Sequence, residues 1–553
     1  MRKKRILFCG EATFFNTGYA TYSREILSYL YSTGKYELAE MSAYASNDDP
    51  RSMETPWKFF GVQPSSSEGR EVHENYSKNL KGQFGGFAFE KICLEFLPDI
   101  VCDIRDHWML DFAENSPFRK FFKWCIMPTV DAYPQARDWI STYASADACL
   151  TYSDWAGGIL QNQSNNRINY IGSAPPSAHP AYKPIEDKAG LKAFFKINPN
   201  TKIIGTVMRN QRRKLYPDLF DAFRKFLNSI DNPNEYKLYC HTSYPDAGWN
   251  IPELLQQFNL SSHVLFTYIC QDTKQPFVSL FSGPICQSPF TGSFNGRLVN
   301  VKDGLSYEHL AQIINLFDLY VQYANCEGFG LPQVEAAACA VPVMGTDYSA
   351  MESILRQLEG FPIKPKTLYK ELETGCYRAV PDNDLAAQMF KDFFNKPEGI
   401  RKRIGFKCRE NFLEHFQWDK SGKQWEKYFD SVEIKPIEET WKSKPNIRLP
   451  ERLPERLPEN ISFKQLTDWL IVKVLCDETQ LNSYLYHKIY EGLLYRISTV
   501  QMIGSYLEED GSVLSIMPRK DINKYDITTA YNEVLQIRNT HNMWERIRSE
   551  VVK

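Results

Sequence analysis

The segment Glu327-Gly-Phe-Gly-Leu-Pro-Gln-Val-Glu335 decides the fold and the function that this sequence predicts. Its two glycines, Gly328 and Gly330, permit positive φ angles and a close approach of the backbone to a ligand. Pro332 is suited to the first turn of a helix. An apolar strand around Val321 precedes the segment, so we expect the glycines at the carboxyl end of that strand, where ligands bind in open α/β sheets.

Two carboxylates flank this turn, and the residues between them complete a predicted ligand-binding site. Glu327 remains in the loop, whereas Glu335 lies one turn into the helix. Each can accept hydrogen bonds from hydroxyls, so one is expected to hold a sugar and the other a ribose. Phe329 and Leu331 lie beside the glycines, and the N–H groups at the helix start are suited to a phosphate. A tight turn with two surface glutamates is the alternative, which the glycines, the proline and the preceding strand disfavour.

A basic segment, Arg209-Asn-Gln-Arg-Arg-Lys214, follows a second apolar strand and precedes a helix. Arginine offers a planar fork for phosphate oxygens, and lysine offers a point charge. Cations fixed at this strand end would stabilise the negative charge that develops on a departing nucleoside diphosphate. The alternatives are a solvated basic loop and a nucleic-acid contact.

Three loops in the first part of the chain carry further candidates. The loop after the first strand contains Gly18 at a helix start, a geometry that suits a diphosphate or an acceptor. Asp131 follows another strand and is expected to point into a cleft. Asp106 and His107 follow a third strand in the same way. These side chains are candidates for contact with the transferred sugar or the acceptor hydroxyl, the alternative being cap or turn residues.

Strand-like and helix-like segments alternate over residues 1–184 and again over 185–412. Strands joined by helical crossovers predict parallel sheets. The predicted fold class is therefore α/β, with two doubly wound Rossmann-like lobes facing a cleft. Residues 270–304 interrupt the second lobe as an inserted loop or hairpin. Cys270 and Cys286 within it lack the second cysteine three positions later that a zinc ribbon needs, so no metal site is predicted.

The C-terminal part departs from this alternation. Residues 413–434 are predicted to form a closing helix that returns to the first lobe. Arg448-Leu-Pro-Glu then occurs three times up to Glu459, and proline at every fourth position favours an extended linker over 435–461. Residues 462–553 are predicted to form a mainly helical appendage, which is a candidate site for a protein partner.

Composition restricts the function further. The 553 residues are 43% hydrophobic and carry a net charge of only −2, so the chain is not disordered and has no global field for nucleic acid or membrane. Its 13 scattered cysteines favour a reducing compartment. The sequence contains no apolar run long enough to span a membrane, and the expected location is cytoplasmic. It contains no P-loop, zincin or nucleophile-elbow motif.

At these residues the chain resembles the GT-B glycosyltransferases, specifically glycosyltransferase family 4, best over residues 200–355. The segment Gly205 to Lys214 resembles the diphosphate-binding motif of that family, and Glu327 to Glu335 resembles its paired-glutamate motif. Phe416-Gln-Trp418 resembles the start of its closing helix. Many relatives have a histidine where this chain has Asp131, which is a departure from the family pattern.

The resemblance implies retaining transfer of a hexose from a nucleotide sugar, with no obligatory metal and no cofactor beyond that co-substrate. It assigns the ribose to Glu335, the sugar hydroxyls to Glu327, and the diphosphate to Arg209 and Lys214. The predicted catalytic residues are Glu327, Arg209, Lys214 and Asp131, and the predicted donor-binding residues are Glu335, Gly328, Phe329, Gly330, Leu331, Arg213, Gly18 and His107.

Several alternatives remain open at this point. The donor is a UDP or a GDP sugar, and the acceptor is a glycan, a lipid-linked sugar, a protein or a modified nucleobase. A non-catalytic sugar- or nucleotide-binding assembly protein is one alternative function, which the appendage motivates. A nucleotide-sugar epimerase or a phosphorylase of the same fold is another.

Overall fold

The structure is a computed structural model. It describes residues 2–442, apart from Asn16, Asn79, Phe87, Pro117 and 301–303, and beyond them 460–462, 505–507 and 513–518.

The first lobe is a seven-stranded parallel sheet in the order β3-β2-β1-β4-β5-β6-β7. Its strands are β1 Lys4–Glu11, β2 Tyr36–Ser46, β3 Lys58–Gln63, β4 Ile100–Asp103, β5 Lys123–Ile126, β6 Ala148–Thr151 and β7 Tyr170–Ser173. Its helices are α1 Gly18–Ser32, α2 Arg70–Lys78, α3 Leu80–Gln83, α4 Phe89–Phe96, α5 Asp111–Glu114, α6 Arg137–Ser145 and α7 Asp154–Ser164. Because the inner strands are covered on both faces, β1, β2, β4, β5 and β6 are largely buried, whereas the edge strands β3 and β7 are mostly half-buried.

The second lobe has a parallel core in the order β10-β9-β8-β14-β15-β16. These strands are β8 Lys202–Val207, β9 Tyr236–His241, β10 Val264–Cys270, β14 Leu319–Gln322, β15 Val343–Thr346 and β16 Phe361–Ile363. The antiparallel strands are β11 Pro276–Leu280, β12 Ile285–Cys286, β13 Gly296–Leu298, β17 Pro365–Lys370 and β18 Tyr377–Pro381. The helices are α8 Lys188–Phe194, α9 Tyr216–Asn228, α10 Ile251–Gln257, α11 Tyr307–Asn315, α12 Leu331–Ala338, α13 Ala350–Leu358, α14 Asn383–Phe394 and α15 Glu398–His415.

Over residues 2–442 the described chain crosses between the lobes twice, at residues 174–187 and again between α15 and α16 (Trp418–Ser431). Helix α16 packs on the first lobe, where the Trp425 Nε1–H group donates to the Tyr22 hydroxyl at 2.9 Å. The two crossings are hydrogen-bonded to each other, because the Ser177 hydroxyl donates to the Phe416 carbonyl at 2.6 Å.

The predicted α/β fold class with two facing lobes is confirmed. Residues 276–298 within the predicted insertion add three antiparallel strands to the second sheet. Residues 437–442, at the start of the predicted linker, form helix α17 (Ile437–Lys442), and Trp441 packs against Phe118 and Phe121. The Arg-Leu-Pro-Glu repeats lie outside the described residues.

Little of the predicted helical appendage is described. Residues 460–462, 505–507 and 513–518 form strands β19 Asn460–Ser462, β20 Ser505–Leu507 and β21 Val513–Pro518, paired in a three-stranded sheet. The remainder of 462–553 lies outside the described residues.

Candidate active site

The paired-glutamate segment is a turn between a buried strand and a buried helix. It follows β14, and Gly330 adopts a φ of 101° immediately before α12, a conformation that glycine tolerates at no steric cost. Pro332 lies in the first turn of α12, where a proline lacks no hydrogen bond that the helix needs. Glu327 and Glu335 are 6% and 7% exposed, so neither is a surface glutamate.

Glu327 is the centre of a buried polar cluster. The Arg213 Nη1 group donates to its Oε2 at 2.9 Å, and the Lys214 ammonium donates to Oε1. The Gln322 amide, on β14, also donates to Oε1 at 2.7 Å. The Glu327 backbone N–H donates to the Ser349 hydroxyl at 2.9 Å. Two cations and an amide therefore fix the carboxylate of Glu327 at the carboxyl end of the strand.

The Lys214 ammonium is buried together with the Glu327 carboxylate that it contacts. Burial lowers the pKa of its ammonium, and the nearby Arg213 charge lowers that pKa further. The adjacent Glu327 carboxylate favours the charged ammonium, since an ion pair in a low-dielectric site is strong once the geometry is set. A phosphate that entered here would exchange with Glu327 for the same two cations.

Arg209 pairs with a different carboxylate from Arg213 and Lys214, which both contact Glu327. Its Nε and Nη2 groups donate to the two carboxylate oxygens of Asp246, each at 2.9 Å. This paired geometry is the strong form of an arginine–carboxylate contact, and the Arg209 hydrogen bond holds the pKa of Asp246 at about 2. Trp249 fixes the same loop, because its indole N–H donates to the Lys214 carbonyl at 2.7 Å.

Glu335 lies apart from this ion-pair cluster. It faces the first crossing between the lobes, where the Tyr182 hydroxyl lies close to its carboxylate. Burial raises the pKa of Glu335 to about 7, and the Tyr182 contact opposes that rise. A carboxylate in this position can accept hydrogen bonds from two adjacent hydroxyls once it is ionised.

The first lobe brings polar groups to the opposite side of the cleft. Thr17 caps α1 by accepting a hydrogen bond from the Ala20 N–H at 3.2 Å, and a side chain added at Gly18 would meet no atom within 4 Å. The open space beside Gly18 leaves room for a ligand at the start of α1. Tyr19, one residue later, donates to Asp106 at 2.7 Å and shares a hydrogen bond with Thr129 at 2.5 Å.

His107 and Asp131 differ in whether they reach the second lobe. His107 stacks on Trp139 with ring centroids 4.9 Å apart, within the first lobe. Asp131 reaches across the cleft, and its Oδ2 lies 3.1 Å from Arg378 Nη1 on β18. Arg378 is 9% exposed in its side chain and also pairs with Glu371 at 2.8 Å. The carboxylate of Asp131 is thus part of an ion-pair network between the lobes.

The lobes touch directly at the paired-glutamate turn. A Cβ added to Gly328 would lie 2.4 Å from Cγ2 of Thr129, so only glycine fits against the first lobe at this point. Nearby, the Tyr377 N–H donates to the Tyr133 carbonyl at 2.7 Å. Residue 328 therefore needs to be glycine because of a contact that the sequence alone does not reveal.

The residues of the site that were not found from the sequence include Gln322, Asp246, Arg378 and Tyr182. Gln322 carried a detectable signal, because a polar residue in an otherwise apolar strand requires a buried partner. The other three come from distant parts of the chain, and their contacts depend on the tertiary fold.

Two searches complete the description of the site. Over the described ranges, no group of three or more His, Cys, Asp or Glu side chains is arranged to hold a metal ion. The helices in the described part of the chain include none that is both long and apolar enough to cross a membrane.

Comparison with known proteins identifies relatives of this architecture. The sequence profile of the family described as Glycosyl transferases group 1 matches residues 295–392. The chain is 29% identical over 249 residues to N-acetyl-alpha-D-glucosaminyl L-malate synthase of Bacillus anthracis, an alignment covering 44% of this chain and 49% of that protein. The chain thus matches about half the length of this curated relative.

Solved structures share the fold over most of the described chain. Sucrose-phosphate synthase from Thermosynechococcus elongatus superposes with a TM-score of 0.55 at 16% identity, covering 78% of this chain and 98% of that one. The Anabaena protein HepE, solved in complex with UDP, superposes with a TM-score of 0.53 at 12% identity, covering 78% and 100%.

The resemblance of the sequence to GT-B glycosyltransferases is confirmed by the shared fold and by the match to this family over residues 295–392. The paired-glutamate segment falls inside the matched range, and the two facing lobes are the architecture of the solved relatives. The chain therefore has the GT-B fold, and its residues 295–392 match the family Glycosyl transferases group 1.

Proposed function

We propose that this chain transfers a sugar from a nucleotide-sugar donor to an acceptor bound on the first lobe. The donor lies against the second lobe, with its diphosphate at Arg209, Arg213 and Lys214. The transfer retains the anomeric configuration and has no obligatory metal. The observation that carries the proposal is the Glu327 cluster, in which two cations converge on one buried carboxylate at the end of a strand.

The cluster supplies what departure of a nucleoside diphosphate requires. As the bond between the sugar and the diphosphate breaks, negative charge accumulates on the phosphate oxygens. Arginine and lysine groups that are already fixed stabilise this charge without reorganisation, a contribution typically worth about 3 kcal/mol for each donor. Displacement of Glu327 from Arg213 and Lys214 by the diphosphate frees its carboxylate for the sugar hydroxyls.

Glu335 has the complementary role toward the ribose. It is buried beside Tyr182 and lies two helical positions past Gln333, on the helix that begins at the glycine turn. The proposed donor therefore extends from the ribose at Glu335 to the sugar at Glu327. The HepE structure in complex with UDP is consistent with nucleotide binding by this fold.

The test is sugar transfer and donor hydrolysis with a panel of UDP and GDP sugars, followed by calorimetry with UDP and GDP. We expect Glu327→Gln to lower turnover by about a hundredfold, and Arg209→Ala to weaken nucleotide affinity by about tenfold. Lys202→Met is the matched control, because Lys202 starts β8 at the opposite end of the strand from Arg209. Full activity in both site variants would overturn the proposal.

Two alternative functions have distinct outcomes in the same assay. A non-catalytic binding protein would bind nucleotide with no turnover in the presence of any acceptor. An epimerase or a phosphorylase would convert its substrate, but addition of an acceptor would not cause release of free nucleoside diphosphate.

A further inference from the structure

The proposed function leaves the acceptor unassigned, and the first lobe carries information about its charge. Resting on that function, we infer that the acceptor is an uncharged, polyhydroxylated molecule of the saccharide class. Phosphorylated or carboxylated acceptors are excluded by the carboxylates that line the acceptor side of the cleft.

Three carboxylates lie at one edge of the first sheet. Strands β1, β4 and β5 are adjacent and parallel, so the loops that follow them meet at the same edge. Glu11 ends β1, Asp106 follows β4 and Asp131 follows β5. The Thr17 hydroxyl donates to Glu11 and the Tyr19 hydroxyl, two residues later, donates to Asp106, which places the two carboxylates on one part of the surface.

This surface is next to the proposed donor. Tyr19 links Asp106 to Thr129 through its hydroxyl. Thr129 in turn abuts Gly328 of the paired-glutamate turn. An acceptor hydroxyl held by the carboxylates is therefore close to the loop where the sugar is transferred.

Two buried tyrosine hydroxyls are a second, independent indication of a ligand. Tyr143 is 0% exposed and Tyr152 is 8% exposed, and neither hydroxyl has a hydrogen-bond partner among the described residues. The Tyr143 ring contacts that of His107, the residue after Asp106, with centroids 5.7 Å apart. Tyr152 directly follows β6, the strand paired with β5. Because buried polar groups are nearly always satisfied, these hydroxyls point to a polar ligand or to its ordered water.

Of the three carboxylates, Asp131 is paired with a cation, whereas Glu11 and Asp106 have no cationic partner among the described residues. The Arg105 guanidinium donates to buried Asp103, and Arg378 is shared between Asp131 and Glu371. Each of these two cations is thus matched by a carboxylate other than Glu11 and Asp106. A phosphate placed here would face like charges across a partly desolvated cleft, which is unfavourable. Saccharide hydroxyls can instead donate hydrogen bonds to the carboxylates.

The experiment compares two probes that differ in one phosphate. Full-length protein saturated with UDP, or with GDP if only that nucleotide binds, is titrated with methyl α-D-glucopyranoside and with glucose 6-phosphate by saturation-transfer NMR. We expect the neutral glycoside to bind at least tenfold more tightly. In the Glu11→Gln/Asp106→Asn double variant, this preference should fall at least fivefold.

Controls separate this inference from the proposed function and from misfolding. Glu95→Gln is the matched control, because this exposed carboxylate of α4 pairs with Lys58 away from the cleft. Unchanged nucleotide affinity shows that the double variant is folded. Equal or tighter binding of glucose 6-phosphate, an unaltered preference in the double variant, or no binding of the neutral glycoside would overturn the inference. Failure of nucleotide binding or transfer in wild-type protein would overturn the proposed function instead.

Discussion

The carboxylate of Asp246 accepts two hydrogen bonds of 2.9 Å each from the Nε and Nη2 groups of Arg209. Arg209 is half-exposed, and within the described part of the chain its side chain donates hydrogen bonds only to Asp246. We therefore predict that Asp246→Asn, which removes one charge and one acceptor, weakens nucleotide affinity by about threefold to tenfold. Isothermal calorimetry with UDP and GDP measures the change.

The control for this prediction removes one carboxylate charge at a position away from Arg209. Glu235→Gln removes a carboxylate that pairs with Lys202, next to the opposite end of β8. Its nucleotide affinity should equal that of wild type. If Asp246→Asn bound nucleotide as tightly as wild type, Asp246 would have no part in positioning Arg209.

A second prediction concerns the buried pair of Lys214 and Glu327. Lys214→Met leaves the Glu327 carboxylate buried with one cation fewer, and we expect the free energy of unfolding to fall by about 3 kcal/mol. The double variant Lys214→Met/Glu327→Gln removes both charges and should be more stable than the sum of the two single changes predicts. Urea denaturation of the four proteins measures the coupling. Simple additivity would show that the two side chains do not interact.

A third prediction follows from the contact between the lobes. Gly328→Ala places a methyl group 2.4 Å from Cγ2 of Thr129, so the lobes must separate or the turn must move. We expect turnover to fall at least tenfold, since misplacement of a catalytic loop by about 1 Å can cost a hundredfold. Adding Thr129→Ser deletes the clashing methyl and keeps the hydroxyl that contacts Tyr19, so activity should partly return. A loss that Thr129→Ser does not reduce would contradict this explanation.

A fourth prediction concerns pH. Burial raises the pKa of Glu335 from 4.5 to about 7. Between these values the unfolded chain loses this proton while the folded chain keeps it, so this residue lowers stability as pH rises from about 4.5 to 7. Glu335→Gln should therefore be more stable than wild type at pH 8, by about 3 kcal/mol, and not at pH 4.

Urea denaturation at the two pH values measures this difference. Glu37→Gln, at an exposed position of β2, is the control and should show the wild-type dependence. The same pH dependence in Glu335→Gln and wild type would show that the carboxylate is already ionised in the folded protein.

The parts of the structure that depend on local pattern were predictable from the sequence. The glycines and proline between Glu327 and Glu335 specify a strand–turn–helix unit without reference to the rest of the chain, and the structure contains that unit. The alternation of strands and helices likewise predicted two parallel sheets. Gly18 was correctly placed at a helix start, because Thr17 before it is a typical capping residue.

The contacts of the site were less predictable because they join distant segments. Arg209 and Asp246 come from loops after different strands, and Asp131 and Arg378 come from different lobes. Strand β2 has a weak signal in the sequence because Glu37 and Glu40 interrupt its apolar pattern, although Glu40 is buried in the structure. Whether Asp131 takes the role of the family's histidine remains a prediction.

The hydrogen bond between Ser177 and Phe416 has a mechanical consequence. The two crossing segments are joined to each other by this hydrogen bond, so they form a candidate hinge between the lobes. Sliding of one segment past the other would break the bond, whereas rotation of the lobes about it would not. We therefore expect any opening of the cleft between the lobes to be a rotation about the paired crossings. The contact of Thr129 with Gly328 joins the two lobes, so such a rotation would separate these two residues.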